Sequence, residues 1–342
     1  MDNNNRIDYE KDGIFYVPPK RKINWFGIAL MMILIGGIMA GGAWLAGGRG
    51  GMIRWEQGPV FFADPIGPAE TLSVAISAQN IDGISIFAIP ARVEVLTNHR
   101  SNDIEITFVG MSPNYTVSEG HLTVYARRVD IISGIHIFGG SIGVNDSVHV
   151  YIPAGMEPSV HVSGSSGRID VRHPSFSELN VTSGSGRIEL RRAEVSGRLT
   201  LSSASGRILA ENVTARSGSF ATVSGRIEIS DSRFDSLRVS SSSGSQSLED
   251  VSWSYLQAGS SSGRITIDDA RVDSASGSTN ISASSGSINL TIEGRRSDFN
   301  YDLRSNSGSV RVNGQRRDNQ NIGSRHDITI RTTSGAIRLN FD

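Results

Sequence analysis

The sequence predicts an all-β protein, a single-stranded β-solenoid or parallel β-helix-like repeat rod, preceded by one N-terminal transmembrane helix. Three observations predict this fold class. A Ser-Gly corner recurs nine times between Gly167 and Gly335, and aliphatic residues keep a fixed register around it. Near the N-terminus, the 24 consecutive residues from Trp25 to Gly48 carry no charge. The chain of 342 residues has no cysteine, which excludes disulfides and thiolate metal sites.

The N-terminal region is predicted to anchor the chain in a membrane. Residues 1–22 form a short tail, 23–48 a transmembrane helix, and 49–70 a Gly/Pro-rich juxtamembrane linker. The uncharged run is long enough for a helix to cross a hydrocarbon core of about 30 Å. Basic residues at positions 20–22 favour a cytoplasmic N-terminus and an extracytoplasmic body in the cell membrane. A cleaved signal peptide is the alternative interpretation.

Two glycines inside the uncharged run suggest helix self-association. Gly37 and Gly41 form a GxxxG pair, which lets two membrane helices approach closely. Glycine is also common in membrane helices for other reasons, so the pair alone does not establish a dimer.

Residues 71–342 are predicted to form the extracytoplasmic β-solenoid, with regular repeats from about residue 160. The earlier part contains period-2 runs such as "ARVEVLT" and "DIEITFV", which are typical of strands with one buried face. The later corner glycines are separated by 19, 20, 19, 19, 19, 23, 22 and 27 residues. Coils of about 19 residues follow from this spacing.

The register of the aliphatic residues indicates how each coil is built. They stand two and four residues after the corner glycine, and in most repeats seven and five residues before it. Gln246 is the exception at the first of these positions. We expect two short strands per coil, joined by a corner whose glycine takes positive φ. A β-sandwich with coincidental repetition is the less favoured alternative.

The stretch "VHVYIPAGMEPSVHVSGSSGRIDV", followed by repeated "SGRI" strands, resembles a bacterial envelope family of putative adhesins. The resemblance covers roughly residues 71–342. It implies a β-repeat domain of largely unknown function, often placed behind a single membrane span, and in some members linked to envelope-stress sensing. It supplies no catalytic motif and no cofactor.

One register position directly after the corner glycine is repeatedly arginine. On stacked coils these side chains would form a basic stripe, which is a candidate surface for anionic envelope polymers. The alternative is a solvated face, since carboxylates two residues further along are placed to pair with the arginines. The candidate residues of the arginine stripe are Arg168, Arg187, Arg207, Arg226 and Arg264.

Other chemistry is weakly supported by the sequence. Asp268 and Asp269 form an adjacent acidic pair within the repeats, and solvated turn residues explain them better than a catalytic pair. The seven histidines match no zinc spacing. Strands rather than helices follow the glycine-rich corners, which disfavours nucleotide binding. The formal net charge of −1 disfavours nucleic acid as a partner.

These observations favour a non-enzymatic, membrane-anchored cell-envelope protein that displays a β-solenoid for binding or scaffolding. One alternative is an accessory of an envelope-stress signalling system that contacts a membrane sensor. Another is end-to-end polymerisation, because the sequence stops directly after the strand "AIRLNFD" and an exposed last coil can pair with a second molecule.

Overall fold

A computed structural model describes residues 71–89, 91–110, 114–127, 146–274, 276–316 and 325–342, all within one unit of the chain. The predicted tail, transmembrane helix and linker lie outside these residues. No helix in the described part of the chain is long and apolar enough to span a bilayer. The described residues form 22 β-strands and one 3₁₀ turn at Arg296–Asp298. The strands are β1 (Thr71–Ser77), β2 (Gly83–Ile89), β3 (Arg92–Asn98), β4 (Asp103–Val109), β5 (Tyr115–Ser118), β6 (His121–Arg127), β7 (Ser147–Pro153), β8 (Ser159–Gly164), β9 (Ile169–Val171), β10 (Ser175–Phe176), β11 (Glu178–Ser183), β12 (Ile188–Ser203), β13 (Ile208–Thr222), β14 (Ile227–Ser241), β15 (Gln246–Ser260), β16 (Ile265–Val272), β17 (Ser278–Ala283), β18 (Ile288–Ile292), β19 (Phe299–Ser305), β20 (Val310–Val312), β21 (His326–Thr332) and β22 (Ile337–Phe341).

Each central coil is one long strand that bends twice, so the solenoid has three faces. Along β14, every second residue is buried, except that two successive residues rather than one separate the buried positions at each bend. We call the three runs face A (Ile227–Ile229 in this coil), face B (Ser232–Phe234) and face C (Leu237–Ser241). The same runs stack in parallel on β13 and β15. The β-solenoid prediction is therefore confirmed, whereas the expectation of two strands per coil is wrong because it omits face B.

The bend between faces A and B is made by a residue with left-handed backbone. Its φ lies between 48° and 55° in five successive coils. Asparagine and aspartate tolerate this region better than most residues, and three of the five are aspartate. Each follows the corner glycine by six residues, a second periodic signal in the sequence. The left-handed residues are Arg192, Asn212, Asp231, Asp250 and Asp269.

The corner glycines are required for close approach of neighbouring coils. None of them has positive φ, contrary to the sequence-based expectation. A Cβ atom on Gly206 would lie 1.8 Å from the carbonyl oxygen of Gly186, and one on Gly225 would lie 1.9 Å from that of Gly206. Such a contact leaves no room for any side chain. The corners thus stack backbone to backbone along the solenoid.

A hydroxyl group three residues before the glycine closes most corners. The amide of Gly206, for example, donates to Ser203 Oγ over 2.9 Å. In the coil of Gln246, Ser241 Oγ instead donates to the carbonyl oxygen of Gly244. Gln246 Nε2 donates to Ser241 Oγ (3.0 Å) and to the carbonyl oxygen of Gly259 (2.6 Å). These bonds give the amide nitrogen of Gln246 two partners at a position where other coils place an aliphatic residue, while its buried Oε1 has no hydrogen-bond partner among the described residues.

The order of the coils in space differs from their order in the chain at both ends. The first coil, β2–β3, lies between β6–β7 and β8–β9. The last coil, β21–β22, lies between β17–β18 and β19–β20. The "AIRLNFD" strand is therefore paired on both sides, and the premise that it forms an exposed last coil is wrong. Antiparallel pairs β5–β6, β4–β7 and β1–β4 cover the other end.

One glycine on face C compensates for two large side chains in the core. Gly218 occupies the inward position that Leu199 and Leu237 hold in neighbouring coils. A Cβ atom there would lie 2.7 Å from the ring of Phe234 and 3.1 Å from that of Phe220. The two rings pack edge to face with centroids 5.8 Å apart. This packing explains why the repeat ending at Gly225 departs from the aliphatic register.

Candidate functional site

The residues of the arginine stripe lie on stacked coils, at the glycine corner beside face A. Its residues follow stacked corner glycines, and the backbone hydrogen bonds place their peptides on adjacent coils. The amide of Ile169 donates to the carbonyl of Arg187, and the amide of Ile188 to that of Arg207. Ser245 interrupts the column, and Arg264 follows it.

Most guanidinium groups of the stripe are ion-paired with carboxylates on face A. Glu189 contacts Arg168 of the preceding coil and Arg187 of its own coil. Glu228 repeats this arrangement with Arg207 and Arg226. In the described residues Arg264 has no ion pair, and its Nε donates to Ser287 Oγ over 3.3 Å. The stripe is therefore a largely neutralised column.

Two of the paired carboxylates are almost completely buried. The side chains of Asp170 and Glu189 are 1% and 3% exposed. Asp170 accepts hydrogen bonds from Arg168 and Arg172. The hydrogen bond and the charge of Asp170 raise the pKa of Arg172 above its ordinary value. Burial of a carboxylate is unfavourable unless it is paired and hydrogen-bonded, so these contacts stabilise the fold.

The remaining sequence candidates do not assemble into a reactive site. Asp269 is an exposed left-handed corner residue, as expected for a solvated turn, and Asp268 accepts from Thr291 Oγ1 over 3.5 Å. His149 faces outward and pairs with Glu94 over 2.8 Å. No group of three or more potential metal-ligating side chains occurs in the described part of the chain. Gly37 and Gly41 lie outside it, so helix self-association stays a prediction.

Face C carries a groove that the sequence interpretation missed. It has a volume of about 670 Å³ and crosses five neighbouring strands, β12, β13, β14, β15 and β17. Because neighbouring strands lie about 4.8 Å apart, the groove extends roughly 19 Å along the solenoid axis. Its lining residues are Arg198, Thr200, Ser217, Gly218, Ser219, Ser236, Leu237, Arg238, Tyr255, Leu256, Gln257, Ser278 and Asn280.

The groove is lined by small side chains and by larger polar ones. Ser217 and Ser219 flank Gly218 on β13, and Ser236 follows on β14. Arg238 and Gln257 occupy the same outward register on β14 and β15, and Arg238 Nη1 donates to Gln257 Oε1 over 3.0 Å. The groove therefore offers hydroxyl, amide and guanidinium groups, without any carboxylate.

The groove contains an exposed aromatic side chain. Tyr255 is 51% exposed, so its ring is accessible to a ligand. Ser236 and Ser278 occupy the same register on the two neighbouring strands, so small groups flank the ring. The periodic signal for these residues is present in the sequence. The outward-facing lining residues stand eight and six residues before corner glycines, on either side of the aliphatic position seven residues before them.

Comparison with known proteins identifies the family and gives distant structural matches. No curated protein matches the chain. A putative lipid-binding protein from Parabacteroides distasonis is 17% identical, covering 80% of this chain and 97% of its own, with a TM-score of 0.47. A putative adhesin from Parabacteroides merdae is 15% identical over 80% and 96% of the two chains, with a TM-score of 0.45. The model of the family described as Toastrack DUF4097 matches residues 81–340, so the chain belongs to that family.

Proposed function

We propose that this protein is a non-enzymatic cell-envelope protein that displays its solenoid outside the cytoplasm and binds an elongated envelope ligand. The groove along face C is the observation that carries the proposal. A ligand lying along the solenoid axis meets equivalent positions on successive coils, so its contacts repeat at the spacing of the strands. The names of the compared proteins, adhesin and lipid-binding protein, are compatible with binding.

The composition of the groove supports binding rather than catalysis. General acid–base catalysis relies most often on histidine or a carboxylate, and neither residue type lines the groove. Its titratable side chains are two arginines and one tyrosine. Arginine stays protonated in proteins and serves as a binding group for anions.

Membrane anchoring is the second part of the proposal, and the absence of cysteine makes it easy to test. We propose that residues 23–48 span the membrane with residues 1–22 in the cytoplasm, as the basic residues before the span favour. A single cysteine at Asn4 should be protected from a membrane-impermeant maleimide in intact cells. One at Ser282, an exposed position of face C, should react. Labelling of Asn4→Cys and protection of Ser282→Cys would contradict this orientation.

Binding through face C is tested by filling the groove without assuming the ligand's chemistry. We expect the full chain in detergent to be retained by an envelope preparation from its host. Ser236→Trp places a large side chain in the groove and should reduce retention at least tenfold. Thr214→Trp, an exposed position of face B, is the matched control. Equal retention of both variants and the parent chain would remove face C from the proposal.

A further inference from the structure

We propose that the groove on face C takes an acidic polysaccharide, with its chain along the solenoid axis. A sugar ring lies on Tyr255, and carboxylates of the polysaccharide lie against Arg238 and Arg198. This inference rests on the proposed function, because it names the ligand of the same groove. It also moves the candidate site for an anionic polymer from the arginine stripe to a different face.

The charge state of the groove distinguishes it from the stripe. Four of the five stripe arginines are ion-paired, whereas Arg198 and Arg238 make no ion pair within the described residues. Arg238 contacts the uncharged Gln257, and Glu178 occupies the register next to Arg198 without forming an ion pair with it. Two guanidinium groups without an ion pair, in a groove that no carboxylate lines, favour a ligand that carries negative charge.

The spacing of the two cations fits a repeating ligand. Arg198 and Arg238 lie on β12 and β14, with one strand between them. They are therefore separated by roughly 10 Å along the axis, twice the strand spacing. Arg198 shares a column with Ser217 and Ser236, and Arg238 lies in the next outward column, two residues further along the strand. Carboxylates that recur along a polymer between the two columns can therefore meet both guanidinium groups.

Tyr255 and the neutral side chains favour a saccharide over other polyanions. A tyrosine ring offers an apolar face and a hydroxyl group, which suits the apolar face and the hydroxyl edge of a sugar ring. Gln257 and Asn280 follow one another at the same outward register on β15 and β17, and Ser219 holds that register on β13. These amides and hydroxyls donate and accept hydrogen bonds, as the hydroxyl groups of sugars require. A chain of phosphates would use the arginines but not the ring.

The test uses a matched pair of ligands and the full chain in detergent. The acidic probe is a hexasaccharide of α-1,4-linked galacturonic acid, and the neutral probe is the same hexasaccharide with all carboxylates methyl-esterified. We expect calorimetry to show binding of the acidic probe at least tenfold tighter than that of the ester. A glycerol phosphate hexamer of similar charge should bind more weakly than the acidic sugar.

Variants separate the contributions of ring and charge. Tyr255→Ala should weaken binding of both sugars about tenfold and leave the glycerol phosphate hexamer unaffected. Replacing Arg198 and Arg238 together by alanine should reduce binding of the acidic sugar to the level of the ester. Arg226→Ala, an exposed residue of the stripe, should change nothing. Thermal unfolding of each variant checks that the fold is retained.

The outcomes distinguish this inference from the proposed function. The inference is overturned if none of the probes binds the parent chain, if acid and ester bind equally, or if Arg226→Ala matches the loss of the groove variants. Equal binding of the glycerol phosphate hexamer with no effect of Tyr255→Ala would show recognition of charge alone and also overturns it. Loss of envelope retention in Ser236→Trp would leave the proposed function standing in any of these cases.

Discussion

Gly206 lies directly against the backbone of Gly186, so that a Cβ atom on Gly206 would come within 1.8 Å of the Gly186 carbonyl oxygen. The same contact recurs between neighbouring corner glycines along the solenoid. Backbone atoms cannot rotate away as a side chain can, so relief would require separating two coils. The corners therefore hold neighbouring coils in close backbone contact.

Gly206→Ala is expected to destabilise the solenoid by about 3 kcal/mol or more, the upper end of the usual cost of overpacking. Urea unfolding followed by circular dichroism measures the change. Gly259→Ala is the matched control, because its added Cβ would meet only Ser282 Oγ, at 3.7 Å. The control should be neutral or slightly stabilised. Equal stability of the two variants would show that the coils separate at little cost.

A buried series of hydrogen bonds that includes His326 makes the stability of the solenoid depend on pH. Trp253 Nε1 donates to Thr279 Oγ1 over 2.8 Å, and Thr279 Oγ1 lies 2.9 Å from Nε2 of the buried His326. Nδ1 of His326 lies 2.9 Å from the carbonyl oxygen of Ser274. We assign the proton to Nδ1, because a carbonyl can only accept. Nε2 then accepts from Thr279, and the imidazole is neutral.

Burial lowers the pKa of His326 from its ordinary value of 6.5, against smaller opposing effects of Ser274 and Asp327. The unfolded chain therefore binds a proton below about pH 6.5 that the folded chain does not, so stability falls as the pH is lowered from there towards the folded-state pKa. The slope reaches about 1.4 kcal/mol per pH unit for each such histidine. His173, whose pKa burial also lowers, acts in the same direction.

Denaturation of the parent chain between pH 7.5 and 5 measures this loss. His326→Gln should lower stability at neutral pH but give a shallower dependence on pH. The outward-facing His161 supplies the control variant, His161→Gln, in which the dependence should remain. An unchanged slope in His326→Gln would contradict the assignment.

The left-handed corner at Asp250 gives a prediction about the backbone. Its φ of 51° disfavours β-branched residues. Asp250→Val should therefore cost about 1–2 kcal/mol, the usual penalty of that conformation. Asp250→Gly should be nearly neutral, because glycine has no Cβ to clash. Urea unfolding compares the two, and an equal loss in both would point to the carboxylate rather than to the backbone.

The regular part of this fold was predictable because each coil repeats the same residue types at the same positions. Corner spacing and aliphatic register together predict in-register parallel stacking, and the structure has it. The third face was missed because its inward positions vary widely, with Ser232 and Phe234 in one coil and Val251 and Trp253 in the next. Because these inward residues differ in size and polarity from coil to coil, face B has no aliphatic pattern in the sequence.

The order of the end coils was not predictable from the same signals. Any coil with the glycine corner can stack on any other, so register alone does not choose the neighbour. Gly335 contacts Gly286 on one side and Gly308 on the other, although Gly308 precedes it in the chain. At this end of the core, Phe299 and Phe341 stack with centroids 5.2 Å apart, a contact that the repeat pattern does not encode.

The groove on face C was not predictable from the sequence either. The arginine stripe is visible in the sequence because one residue type recurs, whereas the groove is lined by different residue types at one register. One lining residue, Gly218, departs from the aliphatic register because its absent side chain makes room for Phe220 and Phe234 in the core. The arginines of the stripe have carboxylate partners and those of the groove do not, a difference that only the side-chain positions reveal.

Glu189 provides the last prediction, because its carboxylate is buried while its arginine partners are not. The side chain is 3% exposed, whereas those of Arg168, Arg187 and Arg191 are 39–48% exposed. Loss of any one arginine leaves the carboxylate with other partners, so Arg187→Ala should cost less than about 1 kcal/mol. Loss of the carboxylate leaves several guanidinium groups close together without their common partner.

Glu189→Gln should therefore cost about 1–3 kcal/mol, less than for a fully buried pair because water still reaches the arginines. Added salt should reduce the cost, since the remaining repulsion lies partly in solvent. Urea unfolding at low and high salt measures both effects. A loss in Arg187→Ala as large as that in Glu189→Gln would show that the individual ion pairs, rather than the shared carboxylate, stabilise this part of face A.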